Sequence, residues 1–106
     1  MFVKLSAAGN VTLEDRNNFR AFKLVVDGGP DRLDIARRVL SGTAELPDQA
    51  TAWIFEQVLR QRPEVAQDAT WQRNLGAMME KAKPHGWIDE QKKAIKAHIE
   101  WTEKAA

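Results

Sequence analysis

Trp71, Leu75, Met78, Met79 and Ala82 stand at offsets of 0, 4, 7, 8 and 11 from one another. At 3.6 residues per turn these positions fall on a single helical face. An apolar stripe of this kind has to be laid against other elements, so it obliges the rest of the chain to supply a core. Pro63 has no amide hydrogen to donate and disfavours helical geometry at Arg62, which limits how far the helix can extend backward. The pattern predicts a helix over about 64–82.

The neighbouring segments read as partners for that stripe. "GGPDRLDIARRVLSG" places Pro30 at a first helical position, Asp31 and Asp34 at the positive end, Arg37 and Arg38 at the other, and Gly42 as a stop. It predicts a helix over about 30–41, buried through Leu33, Ile35, Ala36, Val39 and Leu40. Ala50, Trp53, Ile54 and Val58 suggest another over 47–61, with Glu56 and Arg60 as an i,i+4 ion pair. In "KPHGWIDE" Pro84 and Gly86 suit a type I turn, after which Asp89 can cap a last helix over 89–103 that buries Ile95 and Ile99. His85 then reads as a solvated turn residue.

Ahead of Gly28 the pattern changes. "MFVKLS" is short and extended in character, and Phe22, Leu24 and Val26 alternate with polar neighbours, so strands are expected at about 2–6 and 19–27, paired antiparallel. Thr12 and Asp15 have the spacing of a capping box and suggest one helical turn between them. The expected fold is therefore α+β and mostly helical: an N-terminal strand pair followed by a bundle of four helices around Trp53, Trp71, Leu75, Met78, Ile95 and Ile99. The 106 residues suffice for one domain, 1–106, and show no repeat or linker.

Composition narrows the function classes. Sixteen basic against fifteen acidic residues leave a net charge of +1, with no block of either sign to attract a polyanion. Without cysteine there is no disulfide, thiolate nucleophile or sulfur-ligated metal, and cytoplasmic localisation is expected. "MFVKLSAAGN" has no leader pattern and "AWIF" is far too short to span a bilayer, so no membrane association is expected.

No catalytic, cofactor or metal motif stands at working spacing. The two histidines, His85 and His98, are too few for a zinc site with the carboxylates nearby, and neither serine nor threonine sits in a nucleophile motif. "LVVDGGPD" resembles a strand feeding a phosphate-binding loop, but Pro30 removes an amide and Asp31 and Asp34 repel an anion. No catalytic residue, metal or cofactor is assigned. Of the local basic cluster Lys81, Lys83, Lys92, Lys93 and Lys96, the pair Lys92 and Lys96 is the place an anion would dock.

The leading expectation is a non-enzymatic protein-interaction or regulatory module. Four tryptophans with no tyrosine favour contact anchors, and Trp87 and Trp101, with His98 on the same segment, are the candidates. A homodimer through strand addition at an exposed "MFVKL" edge fits this reading. Two alternatives stand beside it. One is a helix-turn-helix-like nucleic-acid binder using Arg37, Arg38, Arg60 and Arg62, disfavoured by its long connector and near-neutral charge. The other is a small-ligand binder or enzyme using His98.

Overall fold

The computed structural model describes residues 1–103. In chain order the elements are β1 (Phe2–Leu5), β2 (Val11–Glu14), β3 (Lys23–Val26), α1 (Leu33–Val39), β4 (Ala44–Glu45), β5 (Thr51–Phe55), α2 (Glu56–Arg60), α3 (Ala69–Ala82), β6 (Ile88–Asp89) and β7 (Ala94–Trp101). The strands form one curled mixed sheet in the order β2-β1-β3-β7-β5-β4, with β6 also paired to β7. The four-helix bundle expected from the sequence is not the fold. One of its helices, at 89–103, is a strand hairpin and another, at 47–61, is half strand and half short helix, and the sheet, not a helix cluster, organises the core.

Each revised element has a local cause. Residues 47–61 divide into β5 and the short α2, because Asp48 Oδ1 accepts from the amides of Ala50 and Thr51 and turns the chain into an extended run, "TAWIF". Thr, Trp, Ile and Phe suit a half-buried pleated surface better than a helix. Residues 89–103 give the β6–β7 hairpin. Asp89 Oδ1 accepts from the amides of Gln91 and Lys92, and Lys93 takes a left-handed φ of 54°, so the chain reverses where a helix was expected to start. "AIKAHIEW" then alternates cleanly, with Ile95, Ala97 and Ile99 buried and Lys96, His98 and Glu100 exposed. Around Leu13 there is a strand where a helical turn was expected, and β2 is the antiparallel partner of β1.

The N-terminal strands differ in direction as well. β1 pairs with β3 in parallel, not antiparallel, register, Val3 opposite Leu24. β1 therefore lies between β2 and β3, and the edge on which strand-addition dimerisation was expected is already occupied on both sides. β2 is the outer strand, and there Leu13 N–H donates to Glu64 Oε2 at 2.8 Å while Arg62 Nη2 donates to Val11 O at 2.7 Å. Two side chains thus stand in for a neighbouring strand.

One face of the sheet is covered. Val3, Leu5, Leu24, Val26, Ala52, Ile54, Ile95, Ala97 and Ile99 share a core cluster with Ala36 and Leu40 at α1, Leu59 of α2, and Trp71, Leu75 and Met79 of α3. The α3 stripe packs as its spacing requires, with Met78 at the margin. Trp53 is only half-buried, on the opposite sheet face. α1 follows a 3-10 turn at Pro30–Arg32, and it buries Ala36 while Ile35 and Val39 stay exposed. No helix among the described residues is long and apolar enough to cross a membrane.

Candidate functional site

The site begins with a gap in the sheet. Along one edge of β7, pairing with β6 ends at Ile95 and pairing with β3 starts at His98, leaving Lys96 and Ala97 between the two strands. The Lys96 amide is taken by Trp87 O at 2.7 Å. Side chains of β7 alternate across the gap: Ile95 and Ala97 point to the core face, on which α3 packs, and Lys96 and His98 to the opposite, solvent face, so the gap is lined from both sides of the sheet. A cleft of about 1020 Å³ opens there.

Three walls enclose it. The first is the segment entering β3, with Phe19, Arg20 and Phe22. It is held by the terminal ammonium of Met1, which donates to Asn18 O and Ala21 O at 2.7 and 3.0 Å, and by the Trp71 indole N–H, which donates to Arg16 O at 2.8 Å. Phe19 lies against the Trp71 ring at 6.0 Å between centroids. The second wall is the face of α3 beside its buried stripe: Asn74, Ala77, Met78 and Lys81, at helical spacings of three and four.

The third wall is the corner "KPHGW". Lys83–His85 form a 3-10 turn, with Gly86 N–H donating to Lys83 O at 3.0 Å. Gly86 takes φ 74°, a left-handed geometry that costs a residue without Cβ nothing. The chain reverses so sharply that His85 and Trp87 end face to face, their ring centroids 4.4 Å apart at an interplanar angle of 20°. Trp87 remains 47% exposed.

The electrostatics of the lining are one-sided. Arg20, Lys81, Lys96, His85 and His98 border the cleft, and among the described residues no aspartate or glutamate does. None of Arg20, Lys81 and Lys96 takes part in a salt bridge among the described residues, whereas Lys23, Lys83 and Lys92 each pair with a glutamate. Arg37 and Arg62 bond backbone carbonyls, and Arg60 is tied to Glu56 at 2.7 Å and to Gln72. Of the four arginines in the helix-turn-helix reading Arg37, Arg60 and Arg62 are engaged in this way and Arg38 stays exposed, while the expected second helix is divided between β5 and α2.

Of the residues singled out in the sequence, the fold brings Trp87, His98 and Lys96 to the same cleft. Lys92 lies elsewhere, paired with Glu45 at 2.7 Å, and that hydrogen bond raises its ammonium pKa above the ordinary value. Lys96 borders the cleft and Lys92 does not, and the helical face on which the two were paired is absent, since Lys92 stands in the turn before β7. Trp101 half-buries its ring and donates its indole N–H to Gln49 O at 2.7 Å. Arg20, Phe19, Phe22 and Asn74 carried no functional signal in the sequence, Phe22 reading only as part of an alternating strand. The signal for Lys96 and His98 together was the alternation of 94–101, and for Lys81 it was the row flanking the α3 stripe.

Among the described residues no three histidine or carboxylate side chains converge where a metal could sit. No protein-family model, curated protein or solved structure matches the chain.

Proposed function

We propose that the protein is a small binding module whose cleft beside β7 takes an anionic ligand with a flat apolar part. The observation that carries this reading is the lining itself: the basic residues Arg20, Lys81, Lys96, His85 and His98, aromatic walls from Phe19, Phe22 and Trp87, and no carboxylate among the described residues. Cations gathered without counter-ions repel one another, and an entering anion relieves that repulsion while the aromatic walls bury its apolar portion. The volume, about 1020 Å³, is at the upper end of the roughly 300 to 1,000 Å³ usual for small-molecule sites. Binding is favoured over catalysis because His98, which would be the base, has no carboxylate among the lining residues to orient it.

The test is a titration watched by amide NMR with three probes of equal ring size: 2-naphthalenesulfonate, 2-naphthylmethanol and 2-naphthylmethylamine. The sulfonate is expected to bind tightest and to move the amides of Trp87, Lys96 and Ala97. Replacing Arg20 and Lys81 together by serine should weaken it by about 0.2 to 1 kcal/mol per charge. Equal binding of the three probes, or shifts confined to other surfaces, would refute the reading.

A protein-contact role is the second reading, favoured by the 47% exposure of Trp87 at a rigid corner. On that reading the partner would present an acidic segment to the same cleft. Trp101 is a poorer anchor because its polar handle is already engaged.

A further inference from the structure

Resting on the anion-binding reading, we infer that the ligand of this cleft is a nucleoside phosphate. The charge count points to it first. Arg20, Lys81 and Lys96 come from three separate parts of the chain, the segment entering β3, α3 and β7. A single carboxylate or sulfonate would neutralise one and leave the others facing each other. A phosphoryl group carries about −1.5 to −2 charges and several acceptor oxygens, so it engages more than one wall at once.

The shape of the third wall points the same way. His85 and Trp87 are stacked as two nearly parallel rings on an exposed corner, fixed by the Gly86 turn and by the bond from Lys96 N–H to Trp87 O. A preformed flat platform beside cations is how proteins hold bases without reading their sequence, since every base presents a π-face. A planar base gains stacking on such a platform beyond the apolar area that an aliphatic chain would bury there. Asn74 of α3 and Thr51 of β5, both among the lining residues, carry the neutral donors and acceptors that sugar hydroxyls require.

A nucleoside phosphate reaches such a cleft either as a free nucleotide or as one residue of a single strand, and calorimetry on the full chain separates the two. The titrants are ADP, AMP, adenosine, pyrophosphate, 2-naphthalenesulfonate and a deoxythymidine hexanucleotide. ADP is expected to bind at least tenfold tighter than adenosine, pyrophosphate or the sulfonate, with AMP between. Trp87→Ala should weaken ADP at least fivefold and leave pyrophosphate unchanged, Trp87→Phe should restore most of the loss, and Arg20→Ser with Lys81→Ser should weaken both ligands. A hexanucleotide that binds tenfold tighter than ADP assigns the site to a strand, and one that binds no tighter assigns it to a free nucleotide. Either result supports the inference. Nucleotides that bind no better than the sulfonate, or that ignore Trp87→Ala, overturn it while leaving the anion-binding reading intact. Silence from every titrant overturns both.

Discussion

Glu64 shows how much a single side chain does in this protein. Burial alone would push its carboxyl pKa up, but the hydrogen bonds from Arg62 and from Leu13 N–H, with the Arg62 charge, hold it below the ordinary value. A carboxylate depressed in the folded state contributes stability that is present above about pH 4.3 and is lost as pH falls through the folded pKa. Glu64→Gln should therefore cost about 1 to 3 kcal/mol at pH 7, since charge-assisted bonds to a strand edge and to a guanidinium are weakened. Urea unfolding at pH 7 and pH 3 measures this, and the gap between the two proteins should narrow at the lower pH. An unchanged gap would mean that Glu64 acts only through shape. The same residue blunts the outer edge of β2, so its loss also exposes Leu13 N–H to pairing with another chain.

At the scale of elements, three aspartates behave alike locally and lead to different structures. Asp48, Asp68 and Asp89 each accept a backbone amide three residues on, at 2.9, 3.0 and 3.0 Å. Only Asp68 starts a helix. It is succeeded by helix formers with a stripe at 3.6-residue spacing, whereas "TAWIF" and "AIKAHIEW" come after the other two. Ile95 and Ile99, four apart, fit one face of a helix and one face of a strand equally well, so the spacing alone does not choose between them. Pairing with β3 and β5 settles it, and in the resulting strand Ala97 joins the isoleucines on the buried face. Asp68→Ala should remove the cap of α3 and lower stability by about 0.5 to 2 kcal/mol, with Asp68→Asn close to the parent. For a domain of this size that is a fall of several degrees in Tm, about 4 to 8 °C per kcal/mol, readable by thermal circular dichroism. No change with Asp68→Ala would show that tertiary packing alone fixes where α3 begins.

The whole molecule turns on β7. It joins β3, β5 and β6, so the halves of the sheet meet only through it, and its partners lie as far away in sequence as Lys23 opposite His98. Pairings of such separation form late and stand or fall together. Ending the chain at residue 93 should leave no cooperative unfolding transition and a collapsed amide spectrum by NMR, because Leu24, Ile54 and Trp71 would lose the strand they pack around. A truncated chain that kept dispersed amide signals would show that β1, β2 and β3 with α3 fold by themselves. The cleft has the same non-local origin: its cations come from residues 20, 81 and 96, which only the assembled fold brings together.

Taken alone, the sequence determined the elements whose signals are short-ranged and unambiguous: the α3 stripe, the helix after Pro30, the strand at 2–5 and the reversal at Gly86. Each rests on caps, glycine conformations or periodicities that neighbouring residues satisfy among themselves. Only the tertiary structure decided that β5 and β7 are strands, that β1 lies inside the sheet, and that Trp87, Lys96 and His98 share a cleft with Arg20 and Lys81. The reason is physical: a strand's hydrogen bonds lie with partners that can be anywhere in the chain, so a short apolar run of ambiguous period takes its form from whatever it pairs with.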